Sequence, residues 1–190
     1  VYIEYLDEAL LVKYDEIDKT YEKHNTDLAK TSAVPVTVYH FFYKMSDTSC
    51  NEAICHSENQ IREHFTYLNN NGFFTINTTE LRLFIEGKLR LPNKSILITI
   101  DDGARAEHFI PVLEEFKINA TLFLVSGWYP TSMFASPYME IASHTHLLHT
   151  PGVCSGGQGS PLKCLEKTKL VADLKQSRET LNGTTAFCYP

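Results

Sequence analysis

Two short stretches of the 190-residue chain concentrate groups able to bind a metal ion or move protons. In Thr99-Ile100-Asp101-Asp102-Gly103, two adjacent carboxylates end a largely apolar run. Carboxylates in such surroundings are costly unless a cation or hydrogen bonds compensate them. Successive residues leaving a strand point in different directions, so one carboxylate can hold a metal while its neighbour faces a substrate. Gly103 permits a sharp turn into the next helix. Asp-Asp-Gly ahead of a helix is also ordinary N-capping chemistry. The second stretch, Ser143-His144-Thr145-His146-Leu147-Leu148-His149, packs three of the eight histidines into six residues. Neutral imidazoles with a carboxylate form a common ligand set for zinc or a similar divalent ion, with a position left open for water. A lone histidine is usually structural, but a histidine cluster in a chain that also offers Asp-Asp-Gly points to a metal centre.

Alternating strands and helices position these groups. From residue 34 onward, PVTVYHFF reads as a buried strand, and Ser57 as the N-cap of a helix running to about Asn70. A short strand FFTI comes next, then a helix TTELRLFIEG ending at Gly87. SILITI is a continuous apolar strand, DDG leads to a helix from Arg105 to Phe116, and ATLFLV and MEIAS are further strands. A long helix over 162–181 precedes a sixth strand, TTAFCYP. Continuous apolar strands between helices predict a parallel sheet covered on both faces. A barrel and an open doubly wound sheet both satisfy this pattern. His40, Asp101, Asp102, His144 and Tyr189 all fall at or just beyond strand C-terminal ends, the edge that holds the active site in either architecture. No glycine-rich phosphate loop follows any strand, which removes support for nucleotide binding.

Composition narrows the function classes. With 43% hydrophobic and 21% charged residues the chain is not of a disordered type. No apolar run approaches the roughly 18 residues of a membrane helix. The net charge of -6 is uneven: residues 1–30 carry eight acidic and four basic side chains, the rest fifteen and thirteen. Without a basic stripe to displace counterions, nucleic acid is not an expected partner, and a neutral carbohydrate is compatible. Residues 1–33 form an appendage whose apolar spacing fits a helix or a hairpin equally. Cys50/Cys55 and Cys154/Cys164 lie in polar, turn-rich stretches and suit two disulfide-closed loops of an exported protein, or four reduced thiols. Cys188, in an apolar run, reads as a small buried hydrophobe.

TIDDG, a histidine cluster opening SHT after a later strand, and a strand ending in YP together resemble the NodB-homology polysaccharide deacetylases, carbohydrate esterase family four. The stretch DDGARAEHFIPVLEEFKINATLFLV is similar to theirs in helix and strand spacing, and the resemblance covers residues 34–190. It implies a distorted (β/α) barrel that uses a divalent metal to hydrolyse N-acetyl groups on N-acetylglucosamine-containing polysaccharide. The family's second motif usually separates its metal histidines by four positions. Here His144 and His149 are five apart, and HTHLLH is similar to the version found in deacetylases of poly-β-1,6-N-acetylglucosamine. That subgroup implies Asp102, His144 and His149 as metal ligands, Asp101 as general base, and His40, from VPVTVYH, as general acid. His146 is then an outer or surface residue. The metal expected is zinc, with cobalt or nickel also accommodated.

Ala186-Phe187-Cys188-Tyr189-Pro190 matches the first half of the third motif, with Tyr189 as a substrate-contacting residue, so the barrel is expected to be incomplete after that motif. Some 160 residues are in any case few for a barrel that usually takes about 200 or more. The family's arginine that braces the catalytic aspartate has no counterpart in FCYP. A monomer acting outside the cell or in its envelope is expected. Rival readings are a carbohydrate-binding or structural module with a degenerate site, and an O-acetyl esterase on the same fold. Trp128, Tyr129, Phe134 and Tyr138 either stack on sugar rings or pack under a loop.

Overall fold

The computed structural model describes residues 31–44, 54–152, 154, 157, 159 and 161–190. The helix-or-hairpin reading of residues 1–30 and Cys50, the expected partner of Cys55, lie outside the described residues.

The central strand β5 (Ser95–Asp102) is buried along its whole length, as a parallel strand covered on both faces should be. It pairs in parallel with β1 (Val36–Tyr39), with β4 (Phe74–Ile76) at its start, and with β6 (Ala120–Leu124) at its end. Strand β6 in turn pairs with β7 (Met139–Ser143). Strands β2 (Phe41–Tyr43) and β3 (Cys55–Ser57) form a separate parallel pair. The described strands are thus an arc of parallel β/α units with order β1-β5-β6-β7.

Helix α1 (Glu58–Asn70) begins with a capping box: the Gln60 amide donates to Ser57 Oγ, and the Ser57 amide donates to Gln60 Oε1. Ile61, Phe65 and Leu68 lie on one helical face and are buried. Helix α2 (Thr78–Ile85) repeats the box with Asn77 and Glu80. The Glu140 carboxylate of β7 accepts from Thr78 of α2 and Thr121 of β6, tying three elements together at the end of the sheet away from the acidic pair.

Four expected elements differ in the structure. The strand over 35–42 is broken at His40, and Val36 and Val38 are 56% and 52% exposed rather than buried. Strand β1 ends the sheet order, and only Thr37 and Tyr39 turn toward covered surface. Residues Ala106–Phe109 form a 3₁₀ turn, and α3 (Ile110–Phe116) starts afresh, because Pro111 cannot donate to the preceding turn. The helix over 162–181 divides into α4 (Pro161–Cys164) and α5 (Lys167–Thr180), since Glu166 takes an extended ψ of 137°. Cys164, at the end of α4, is bonded to Cys154. The sixth strand is reduced to one parallel bridge between Ser143 and Phe187.

The main core gathers α1, α3, β5 and β6 around Phe109, which is fully buried with its ring 5.0 Å from Phe42 and 5.8 Å from Tyr39. Replacing Phe109 with Ala is expected to cost about 3–5 kcal/mol. Urea unfolding should show a lowered midpoint with an unchanged slope; a loss under about 1 kcal/mol would mean the site collapses freely around the gap.

Candidate metal centre

Strand register brings the reactive groups to one sheet edge. Tyr39 is registered on Ile100, which sets His40 beside Asp101. Asp102 and Ser143 are both registered on Leu124, so Asp102 and His144 flank the end of β6. Two strand spacings are roughly 10 Å, a gap that an aspartate and a histidine side chain can close between them. The Val125 amide donates to the Asp102 carbonyl and the His144 amide to the Leu124 carbonyl, continuing the ladder to the site.

Asp101 and Asp102 are the last residues of β5, and the 3₁₀ turn beyond them has no side-chain cap, so the pair does not serve as an N-cap. Asp102 adopts a left-handed φ of 72° and Gly103 a φ of 106°. A Cβ at Gly103 would lie 2.5 Å from Leu124 Cδ1, so glycine is required there. The left-handed Asp102 stores about 1–3 kcal/mol of strain, which the paired ends of β5 and β6 hold in place.

The Nε2 atoms of His144 and His149 lie 3.3 and 3.0 Å from Asp102 Oδ1. Ligand atoms of the three residues all fall within 4.8 Å of one another. Asp102 Oδ1 is buried and makes no well-formed hydrogen bond among the described residues, although two imidazole nitrogens converge on it. Three donors aimed at one point, with a buried oxygen otherwise unsatisfied, fit a divalent cation bound by two nitrogens and one oxygen. These three residues could hold a metal ion.

Their electrostatics are coupled. Burial pushes the Asp101 carboxyl above its ordinary range, against the pull of His144 and His40. Burial opposes ionisation of Asp102 too, but the His144 imidazole 3.3 Å away and the nearby His149 outweigh it and hold Asp102 below its ordinary value. Burial alone would lower the His144 pKa; the Asp102 carboxylate beside it, with Cys188 and Asp101, carries it up to about 9. His144 Nδ1 lies 3.0 Å from the Cys188 carbonyl, which directs Nε2 inward, as outer partners of metal-binding histidines do.

The remaining predicted residues take definite places. His40 Nε2 lies 4.0 Å from Asp101 Oδ2. His146 turns away, its Nδ1 3.0 Å from Ser126 Oγ. Tyr189 is 77% exposed and packs edge-on against Phe187. Trp128 is exposed with its ring edge-to-face on His149, whereas Phe134 is buried and Tyr129 and Tyr138 pack on the core. Cys188 is not a buried hydrophobe: it is half-buried, free, and its Sγ lies 3.9 Å from Asp101 Oδ2.

Asp173 and Ser177 of α5 were not marked by any sequence motif. The Asp173 carboxylate accepts from the backbone amides of His146 and Leu147, and Ser177 Oγ lies within hydrogen-bond distance of Ser143 and Ser126. Their only sequence signal is polar residues at inward helical positions, beside Leu170, Leu174 and Leu181.

Comparison with known proteins bears on this geometry. A family model described as polysaccharide deacetylase matches residues 88–189. The chain is 30% identical over 73 residues to the poly-β-1,6-N-acetyl-D-glucosamine N-deacetylase of Escherichia coli (strain K12), covering 37% of this chain and 11% of that protein. Its match to YxkH of Bacillus subtilis (strain 168), 26% identical over 98 residues, spans 33% of that protein. The chain therefore matches a third or less of the length of these relatives. Among solved structures, a de-N-acetylase from Aggregatibacter actinomycetemcomitans superposes with a TM-score of 0.61 at 25% identity, covering 78% of this chain and 74% of that one. IcaB from Ammonifex degensii gives 0.63 at 22% identity, covering 83% and 75%. The arc of parallel strands formed by the described residues is accordingly that of the NodB-type barrel. With the family model matching more than half of its residues, the chain belongs to the polysaccharide deacetylase family.

Proposed function

We propose that this protein is a metal-dependent hydrolase that removes N-acetyl groups from polysaccharide containing N-acetylglucosamine. The observation that carries the reading is the convergence of Asp102, His144 and His149 on one point, with Asp101 and His40 alongside. Asp102, His144 and His149 are the ligands in this reading, and their mixed nitrogen and oxygen donors suit zinc first. A divalent ion held there supplies Lewis-acid polarisation of the acetyl carbonyl and acidifies a water.

The chain's own residues do the rest. Asp101, buried and with Oδ1 free of any hydrogen bond among the described residues, accepts a proton from the attacking water. His40 donates a proton to the departing amine nitrogen, so that a neutral amine leaves. Trp128 and Tyr189, both exposed near this edge, offer apolar faces to an uncharged sugar. Action in the cell envelope or outside the cell is supported by the Cys154–Cys164 disulfide, which suits an oxidising compartment.

Chitooligosaccharides and poly-β-1,6-N-acetylglucosamine fragments, offered in parallel with an O-acetylated sugar, test the reading. Acetate should be released from an N-acetylated substrate, lost on chelation and restored by zinc. Release from the O-acetylated sugar alone would make the protein an esterase. Release that is indifferent to chelation would remove the metal from the mechanism.

A further inference from the structure

We propose that Asp173 is a positioning residue of the metal centre: its carboxylate, docked on two successive amides of the histidine loop, sets the spacing between His144 and His149. The inference rests on the metal-site reading above. The two ligands are five positions apart, and the loop between them must turn tightly to bring both Nε2 atoms to Asp102. It does so through Thr145, a buried β-branched residue at φ 77°. Such a conformation is disfavoured for this residue type and persists only where the surroundings impose it.

The imposing contacts come largely from α5. Asp173 Oδ1 accepts from the His146 amide at 2.8 Å and Oδ2 from the Leu147 amide at 2.9 Å. Successive amides after a left-handed residue form a concave, electropositive seat for an anion, and the Asp173 carboxylate occupies it. One helical turn on, Ser177 Oγ lies 2.8 Å from Ser143 Oγ, which itself accepts from the Thr145 amide at 3.3 Å. Ser177 also accepts from Ser126, the partner of His146. From the opposite side, the Ser126 and Gly127 amides donate to the Thr145 and His146 carbonyls. Both of these Asp173 hydrogen bonds go to loop amides, so its influence on the centre passes through the loop backbone.

Asn is isosteric with Asp but can accept only one of the two amides, and its own NH₂ group then faces the other. Asp173→Asn should therefore weaken zinc binding by about 10- to 100-fold, the range for losing an outer partner of a metal site, with stoichiometry unchanged. Chelator competition on the metal-free protein measures this without recourse to activity. Amide exchange at His146 and Leu147 should be protected in the unaltered protein and about tenfold or more faster in the variant. A variant that melts lower yet binds zinc as tightly as the parent would make Asp173 a structural tether and overturn the proposal. Should the variant not fold, unprotected His146 and Leu147 amides in the unaltered protein would overturn it, and protected ones support it. An unaltered protein that binds no zinc would instead overturn the metal centre itself, and this inference with it.

Discussion

Asp101→Asn should lower kcat for acetate release by about 10²- to 10⁴-fold, the contribution of a positioned general base, while zinc affinity stays within a few-fold of the parent. Asn keeps the shape of the side chain and removes its ability to take a proton. Asp101 is buried beside the cluster, its Oδ1 has no hydrogen-bonding partner among the described residues, and its Oδ2 faces His40 at 4.0 Å. Its ion-pair partner His40 lies 4.0 Å away with its side chain 28% exposed, so the substitution strands no deeply buried charge and the fold should survive. Steady-state rates and chelator competition on the same preparation separate the two effects. Unchanged turnover would remove Asp101 as the base. Loss of zinc together with activity would place it among the metal-holding groups.

The second large effect distinguishes two histidines that spacing alone leaves close. His149→Ala should weaken zinc binding by more than about 100-fold, beyond what losing an outer hydrogen-bonding partner costs. His146→Ala should leave tight binding intact. His149 Nε2 is 3.0 Å from Asp102 Oδ1, whereas His146 Nδ1 is engaged with Ser126 and its backbone amide, which alanine retains, with Asp173. The opposite pattern, with the loss falling on His146, would move the third ligand and require the loop to turn differently at Thr145.

The reactive inventory could be read from residue types and order. TIDDG at the end of an apolar strand and three histidines after a later one are local patterns, and parallel β/α alternation places such strand ends on one edge. The resemblance chose His149 over His146 on the form HTHLLH, and the structure turns those two rings in different directions. The Ser57 cap was equally legible, because a capping box is a contact between residues three apart.

Contacts across the chain were not legible in this way. Whether Asp-Asp-Gly capped a helix or ended a strand depended on where β6 stopped pairing, since Leu124 lies opposite Asp102. The exposed valines of β1 carry the same hydrophobic signal as buried ones; only the sheet order, which leaves β1 at an edge, separates them. Cys188 read as a core residue, yet the bridge at Phe187 brings its sulfur and carbonyl to Asp101 and His144.

By itself, then, the sequence determined the parallel alternating fold and the carboxylate and imidazole donors of the candidate site, because both are written in local periodicity and residue chemistry. Tertiary structure alone decided how those donors are aimed. Asp173 and Ser177 reach the histidine loop across 27 and 34 positions of chain, and no spacing rule encodes a hydrogen bond formed only when a helix packs over a sheet edge.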